Sequence, residues 1–183
     1  MTRVVAGALG GRKLTVPAGR NTRPTAERVR EGLFSTLESL WGPLAGAAFL
    51  DLYAGSGAVG IEAASRGAGR VTFVERDPRA VAVLRGNLDA LEVQHSEVVS
   101  ASVGRFVGDR AVARFDLVYV DPPYAEAVDD TLAMLQANDW LEPGAVVVVE
   151  RATRDSAPVW PAGLVLDRTR RYGDTTLWYG RRP

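Results

Sequence analysis

The sequence predicts an α/β fold with a mostly parallel seven-stranded sheet, covered by helices on both faces and ending in an antiparallel strand. Two observations predict it. From residue 47 onward, short apolar strands alternate with stretches of helical periodicity, which is typical of a parallel sheet buried on both faces. Residues 163–180 instead contain two strands around the turn Tyr172-Gly173-Asp174, and strands joined by so short a turn are antiparallel.

The elements follow from apolar periodicity and from the residues that end each run. Strands are predicted at Ala47–Leu52, Arg70–Glu75, Ser96–Ser100, Phe115–Val120, Ala145–Glu150, 163–171 and 175–180, with helices at about 58–66, Pro78–Leu91 and about 126–137. The first 41 residues precede this pattern. They predict a short hairpin (Thr2–Ala8 and Arg12–Val16) and a helix at about 25–41, which together form an extension (1–41) to a main domain (42–183).

Composition excludes several classes of protein. Hydrophobic residues make up 46% of the 183 and charged residues 24%, which are ordinary globular values. No run of 18 apolar residues predicts a membrane span, and no secretion signal is recognisable, so we expect a cytoplasmic protein. We also expect it to be a monomer. Cysteine is absent and His95 is the single histidine, which excludes disulfides, thiolate metal sites and sites with two histidines.

The net charge of zero conceals a strong asymmetry along the chain. Residues 1–30 carry a balance of +6 and residues 167–183 a balance of +3, so residues 31–166 carry −9. The basic residues of the extension predict contacts with RNA phosphates, the alternative being an ordinary solvated surface. They are Arg3, Arg12, Lys13, Arg20, Arg23, Arg28 and Arg30.

A glycine-rich turn follows the first strand of the alternating pattern and leads into a helix. Gly55, Gly57 and Gly60 have the spacing that lets a backbone bend tightly and approach a ligand. Glu75 ends the next strand, where a carboxylate accepts hydrogen bonds from ribose hydroxyls. The carboxylate of Asp51 would repel the pyrophosphate of NAD but would receive the amino group of S-adenosylmethionine (SAM), directly or through water. The pattern therefore favours SAM over NAD, and a tight turn without a ligand would not explain both carboxylates.

A second motif, Asp121-Pro122-Pro123-Tyr124, follows the strand Phe115–Val120. Ligands of open α/β sheets bind beyond the carboxyl ends of the strands. There the Asp121 carboxylate and the Pro122 carbonyl would accept both N–H groups of an amine conjugated to an aromatic ring, which moves its lone pair out of the ring plane. Tyr124 would stack on a base swung out of its helix. The motif indicates methylation of such an amine, since an NAD enzyme has no use for it.

These motifs resemble those of class I SAM-dependent amino-methyltransferases, which have a Rossmann-like fold. A narrower resemblance spans nearly the whole chain, to the RsmD family of bacterial 16S rRNA (guanine(966)-N2)-methyltransferases. Its most specific part is Arg23-Pro24-Thr25 followed by Arg28-Val29-Arg30. The resemblance implies 16S rRNA, in an assembling 30S subunit, as the partner.

The resemblance also implies site residues. SAM would be held by Asp51, Gly55, Ser56, Gly57, Glu75, Arg76, Ser102 and Asp121, and the target amine by Asp121, Pro122, Pro123 and Tyr124. The chain departs from the class after its third strand, where Ser100-Ala101-Ser102 stands in place of an acidic residue for the adenine amine; a Ser102 hydroxyl or the backbone would take that role. The open alternatives are a DNA adenine-N6 or cytosine-N4 methyltransferase, a protein-glutamine methyltransferase and an NAD-binding protein.

Overall fold

The computed structural model of the chain describes residues 2–17, 24–123 and 128–183. The strands are β1 (Thr2–Arg3), β2 (Lys13–Leu14), β3 (Ala48–Leu52), β4 (Arg70–Glu75), β5 (Ser96–Ser100), β6 (Phe115–Val120), β7 (Leu141–Ala152), β8 (Val165–Tyr172) and β9 (Thr175–Arg181). The helices are α1 (Pro24–Trp41), α2 (Ala58–Ser65), α3 (Pro78–Ala90), α4 (Val103–Gly108) and α5 (Val128–Ala137). Arg20, Arg23 and Tyr124, to which the sequence assigns functional roles, lie outside the described residues.

Seven strands form one sheet in the order β5-β4-β3-β6-β7-β9-β8. The five strands β3 to β7 are parallel, and β9 is antiparallel to both of its neighbours. The predicted fold class is confirmed. The chain runs outward from β3 through β4 to β5 and then crosses back to β6 on the other side of β3, and this reversal of strand order opens a ligand crevice at the carboxyl ends of the strands.

Apolar side chains of the sheet bury against helices on both faces. On one face Phe49, Phe73 and Leu117 pack in a cluster with α1, α2 and α3. On the other face Leu50 and Val118 pack in a second cluster with α4 and α5. Burial of both faces explains why the central strands have continuous apolar sequences rather than alternating ones.

The hairpin is shorter than predicted because its amides bond to α2 instead of continuing the β ladder. The N–H groups of Val5 and Ala6 donate to the Glu62 carboxylate at 2.7 and 2.9 Å. Gly7, with φ 81°, passes so close to α2 that a Cβ at this position would lie 2.0 Å from the Ser65 carbonyl oxygen. Residues 5–9 therefore bend onto the helix, and each strand of the hairpin has two residues.

The extension shares its hydrophobic core with the main domain. Val4, Leu14 and Phe34 belong to the same cluster as the sheet residues Phe49 and Phe73. Polar contacts join the two parts as well: the Asn87 side chain on α3 bonds to both backbone groups of Thr15 and donates to the Ser56 carbonyl in the glycine-rich turn, all at 2.9 Å. The hairpin, α3 and the turn are thus held together by one amide.

Two further differences concern elements of the main domain. Helix α4 was not predicted, and β7 begins at Leu141 rather than Ala145 and ends at Ala152 rather than Glu150. In the part of the chain that the structure describes, no helix is long and apolar enough to cross a membrane.

Candidate functional site

A cleft of about 1190 Å³ lies over the carboxyl ends of the parallel strands. Four of the five parallel strands contribute a residue at or just beyond their ends, Tyr53, Glu75, Ala101 and Asp121, and β7 contributes its last three residues, Glu150 to Ala152. The cleft continues along the segment after β7 and the turn between β8 and β9, where its lining includes Arg151, Arg154, Asp155, Arg171, Asp174 and Thr175. The structure thus brings the Glu75 end of β4 and the Asp121 end of β6 into one cavity.

The glycine-rich turn adjoins the cleft through Glu75, which lines the cleft and accepts the Gly55 N–H, whereas Gly55, Ser56 and Gly57 are outside the described lining. Gly57 has φ 80°, and a Cβ there would lie 2.2 Å from the Leu84 Cδ1. A Cβ on Gly60 would lie 2.2 Å from the Phe73 Cε1, so this glycine lets α2 pack closely on β4. The turn therefore needs glycine at position 57 for its backbone conformation and at position 60 for helix–sheet packing.

Glu75 joins the turn to the end of β4. Its Oε2 accepts the Gly55 N–H and its Oε1 accepts the Asp77 N–H, both at 2.8 Å. The side chain is half-buried and lines the cleft. The two hydrogen bonds hold Glu75 in place. Each carboxylate oxygen can accept one more hydrogen bond, so Glu75 still has acceptor capacity for the two ribose hydroxyls.

Asp51 lies beneath the turn instead of in the described lining of the cleft. It is 1% exposed, and its Oδ2 accepts the Gly60 N–H at 2.8 Å at the start of α2. Burial raises the pKa of Asp51 to about 8; nearby Glu75 adds to this rise and the Gly60 hydrogen bond opposes it. The hydrogen bond from Gly60 shows that Asp51 supports the start of α2. A role of Asp51 toward the SAM amino group stays a prediction.

We expect Asp51→Asn to flatten the dependence of folding stability on pH. Folded Asp51 keeps its proton up to about pH 8, whereas an unfolded aspartate releases it near pH 4. The folded state therefore binds more protons in this interval, and the free energy of unfolding falls as pH rises. Asparagine does not titrate, so the variant should lose less stability between pH 5 and pH 8 in urea unfolding. Equal losses in both proteins would contradict the assignment.

The motif after β6 faces the same cleft. Asp121, Pro122 and Pro123 all line it, with Asp121 exposed to solvent. Val120 pairs with Val149 in the parallel ladder, so Asp121 follows directly beside Glu150 at the end of the next strand. The cleft therefore contains Glu75 together with Asp121, Pro122 and Pro123, and the binding of an amine by these residues stays a prediction.

The other predicted SAM residues occupy several positions around the cleft. Arg76 lines it, whereas the Ser56 carbonyl accepts a hydrogen bond from Asn87. The Ser102 Oγ accepts the Arg105 N–H at 3.3 Å as the cap of α4. The residues on either side of it, Ala101 and Val103, line the cleft. Adenine contact by the backbone near Ser102 stays a prediction.

The basic residues of the extension divide into exposed and buried side chains. Arg12, Lys13 and Arg28 are exposed, and exposed Arg3 pairs with Glu27 at 3.2 Å. Arg30 requires a correction, because it is 5% exposed and pairs with the buried Glu62 at 3.4 Å. Its burial leaves it no surface to offer a phosphate, and we remove it from the proposed RNA contacts.

Sequence reasoning missed Glu150 and the basic segment after it. Glu150 ends an apolar run in the same way that Glu75 does, and this signal could have found it. Its partner Tyr119 lies on a strand read as purely structural, and the Tyr119 hydroxyl donates a hydrogen bond to Glu150 Oε2. The cleft position of Arg171 depends on where β8 lies in the sheet, which no local pattern indicates.

The sheet order, the glycine-rich turn with Glu75 and the Asp121 motif in one cleft define a class I SAM-dependent methyltransferase. The residues present fit this cofactor, because the Glu75 carboxylate is fixed at the edge of the cleft with acceptor capacity for the ribose.

Comparison with known proteins gives the family. The family model described as conserved hypothetical protein 95 matches residues 2–181. Ribosomal RNA small subunit methyltransferase D of Escherichia coli (strain K12) is 36% identical over 167 residues, which cover 91% of this chain and 82% of that protein. The protein of the same name from Haemophilus influenzae is 37% identical over 152 residues, covering 81% and 77%. The solved structure of the Escherichia coli protein yhhF has a TM-score of 0.87 and 32% identity, covering 98% and 97%. The chain belongs to this family, the RsmD family.

Proposed function

We propose that this protein acts as a monomer and methylates the exocyclic N2 amine of a guanine in bacterial 16S rRNA, on the assembling 30S subunit, with SAM as the donor. The observation that carries the proposal is the single cleft holding both Glu75 and the Asp121 motif. Relatives named small subunit rRNA methyltransferases, 36–37% identical to this chain, support an rRNA substrate.

The chain contributes mainly position and charge to the reaction. SAM, when bound, supplies a methyl group on a positively charged sulfur. Asp121 and the Pro122 carbonyl accept hydrogen bonds from the two N2–H groups and turn the amine lone pair toward that methyl group. Asp121 or water would take the proton that the amine loses when it receives this methyl group. Tyr124 would hold the base by stacking.

The experiment that tests the proposal follows a labelled methyl group from SAM. Small ribosomal subunits, naked 16S rRNA and DNA are each offered as substrate, and the product nucleoside is identified by mass spectrometry. The proposal expects N2-methylguanosine in the small-subunit RNA. N6-methyladenine or N4-methylcytosine in DNA would overturn it, and thermal stabilisation by NAD but not by S-adenosylhomocysteine would overturn the cofactor.

The exposed basic residues of the hairpin are proposed to hold RNA phosphates. We expect Arg12→Glu with Lys13→Glu to weaken RNA binding at least 10-fold, because each reversal removes a phosphate contact and adds repulsion. The affinity for S-adenosylhomocysteine should stay unchanged. Filter binding and calorimetry measure the two affinities.

A charge-matched control is available at the opposite end of the sheet. Arg110 and Arg114 precede β6 and pair with Asp139 at 3.4 and 3.2 Å, away from the cleft. Reversing both changes the net charge by the same amount. If the control pair weakens RNA binding as much as the hairpin pair, the effect is one of total charge and the hairpin assignment fails.

A further inference from the structure

Glu150 is a carboxylate beside Asp121 to which the proposed reaction assigns no role. Val120 at the end of β6 pairs with Val149, so Asp121, the first residue beyond β6, follows beside Glu150 of β7, at about the 4.8 Å that separates neighbouring strands. Residues in register point to the same face of a sheet, and both side chains line the cleft. The end of the β6–β7 pair therefore presents two carboxylates to one substrate.

Tyr119 fixes the orientation of Glu150. The phenol is 5% exposed, and its hydroxyl donates to Glu150 Oε2. Burial raises the pKa of Tyr119 well above its ordinary value, so the hydroxyl keeps its proton and serves as the donor. Within residues 2–17, 24–123 and 128–183, Tyr119 is the one hydrogen-bond partner of this carboxylate, and none of these residues donates to its second oxygen, Oε1. Glu150 thus offers a positioned acceptor to whatever lies beside Asp121.

The chemistry of the bases identifies the matching group. In guanine, the ring atom N1 beside the exocyclic amine carries a hydrogen and is a donor. In adenine and cytosine, the ring nitrogen beside the amine is an acceptor. A carboxylate at this position therefore attracts guanine and repels the other two bases. A site built to accept a substrate N–H also leaves its acceptor unpaired when that N–H is missing.

We infer that Glu150 accepts the N1–H of the target guanine while Asp121 and Pro122 hold its N2 amine, so that Glu150 restricts this methyltransferase to guanine. The inference rests on the proposed function. It assigns Tyr119 as a positioning residue, because Tyr119 acts through Glu150 and not on the base.

The test replaces the target guanine by 2-aminopurine, which keeps the N2 amine but has an unprotonated N1. RNA on which the wild-type chain is active is prepared with either base at the methylated position. For the wild type we expect kcat/KM at least 100-fold lower on 2-aminopurine. Equal wild-type kcat/KM on the two bases would overturn the inference. This comparison needs no variant, so it does not depend on whether a variant folds.

Glu150→Gln tests the residue itself. With the Tyr119 hydroxyl donating to the amide oxygen, the new NH₂ group points toward the base and suits the unprotonated N1 of 2-aminopurine. We expect the guanine rate to fall 10- to 100-fold, while the 2-aminopurine rate holds or rises. A smaller ratio of the guanine rate to the 2-aminopurine rate cannot come from a general loss of structure, because that would lower both rates together.

Controls separate the possible failures. Glu142 lies at the amino end of the same strand, outside the described lining of the cleft, and Glu142→Gln should keep the wild-type preference. Binding of S-adenosylhomocysteine should be unchanged in both variants. If the wild-type product is N2-methylguanosine and Glu150→Gln keeps the full guanine preference, the role of Glu150 is refuted and the proposed function stands. If the wild-type product is another nucleoside, the proposed function itself fails.

Discussion

Replacing Asp121 by alanine is expected to lower kcat by about 100-fold or more, the usual effect of removing one group that stabilises a developing charge. The side chain lies in the cleft beside Pro122 and Pro123, where it would orient the amine and accept its proton. Because Glu75, the proposed ribose acceptor, lies at the end of a different strand and is held by the glycine-rich turn, the affinity for S-adenosylhomocysteine should change little. Single-turnover methyl transfer and calorimetry measure the two quantities.

Asp130→Ala provides the control for this prediction. Asp130 is an exposed carboxylate in the first turn of α5, a short distance along the chain from the motif, and its removal changes the net charge equally. We expect its kcat within twofold of the wild type. Normal turnover by the Asp121 variant would refute the catalytic assignment, and a large fall in cofactor affinity would move Asp121 from substrate to cofactor binding.

The second large effect concerns stability: Glu62→Gln should reduce the free energy of unfolding by about 3–5 kcal/mol. Glu62 is completely buried. Its oxygens accept the N–H groups of Val5 and Ala6, pair with Arg30 at 3.4 Å and accept the Arg66 Nε at 2.9 Å. A glutamine places an NH₂ group against these donors, removes the buried counter-charge of Arg30 and leaves Arg66 with the exposed Glu38 alone.

Glu38→Gln is the matched control, because Glu38 pairs with the same Arg66 guanidinium at 3.3 Å but its side chain is 44% exposed. Exposed ion pairs contribute little, so a loss below about 1 kcal/mol is expected. Urea unfolding of the three proteins gives the comparison. Losses of similar size for the two variants would mean that the Glu62 contacts do not hold the hairpin to α2.

Local patterns in the sequence predicted much of the sheet. The runs Arg70–Glu75, Ser96–Ser100 and Phe115–Val120 were predicted with the bounds that the structure has, because a buried parallel strand is a continuous apolar run with polar residues at its ends. Helix α4 was not predicted, because its six residues form less than two helical turns and show no recognisable apolar periodicity. The length of the hairpin depended on Glu62, more than 50 residues away, which local pattern does not report.

Some residues of the site could be predicted from local motifs, and others only from contacts between distant segments. The glycine-rich turn and the Asp121 motif are sequence-local; Asp121, Pro122 and Pro123 line the cleft, and the turn contacts Glu75 at its edge. Glu150 needed the pairing of β6 with β7, which depends on strand order. Arg30 was counted by charge alone, although its partner Glu62 belongs to a different segment. Charge composition says nothing about which arginine has a buried counter-ion.

The shared core of the hairpin, α1 and the sheet has a consequence for how the protein is dissected. A polypeptide that starts at residue 42 would lose Val4, Leu14 and Phe34 from the core and would uncover the face of the sheet that carries Phe49 and Phe73. Hairpin, helix and sheet therefore constitute one cooperative unit, which melts as a whole. The proposed RNA contacts of the first 41 residues therefore have to be studied by exchanging side chains on their outer surface, since truncation would report the collapse of the fold.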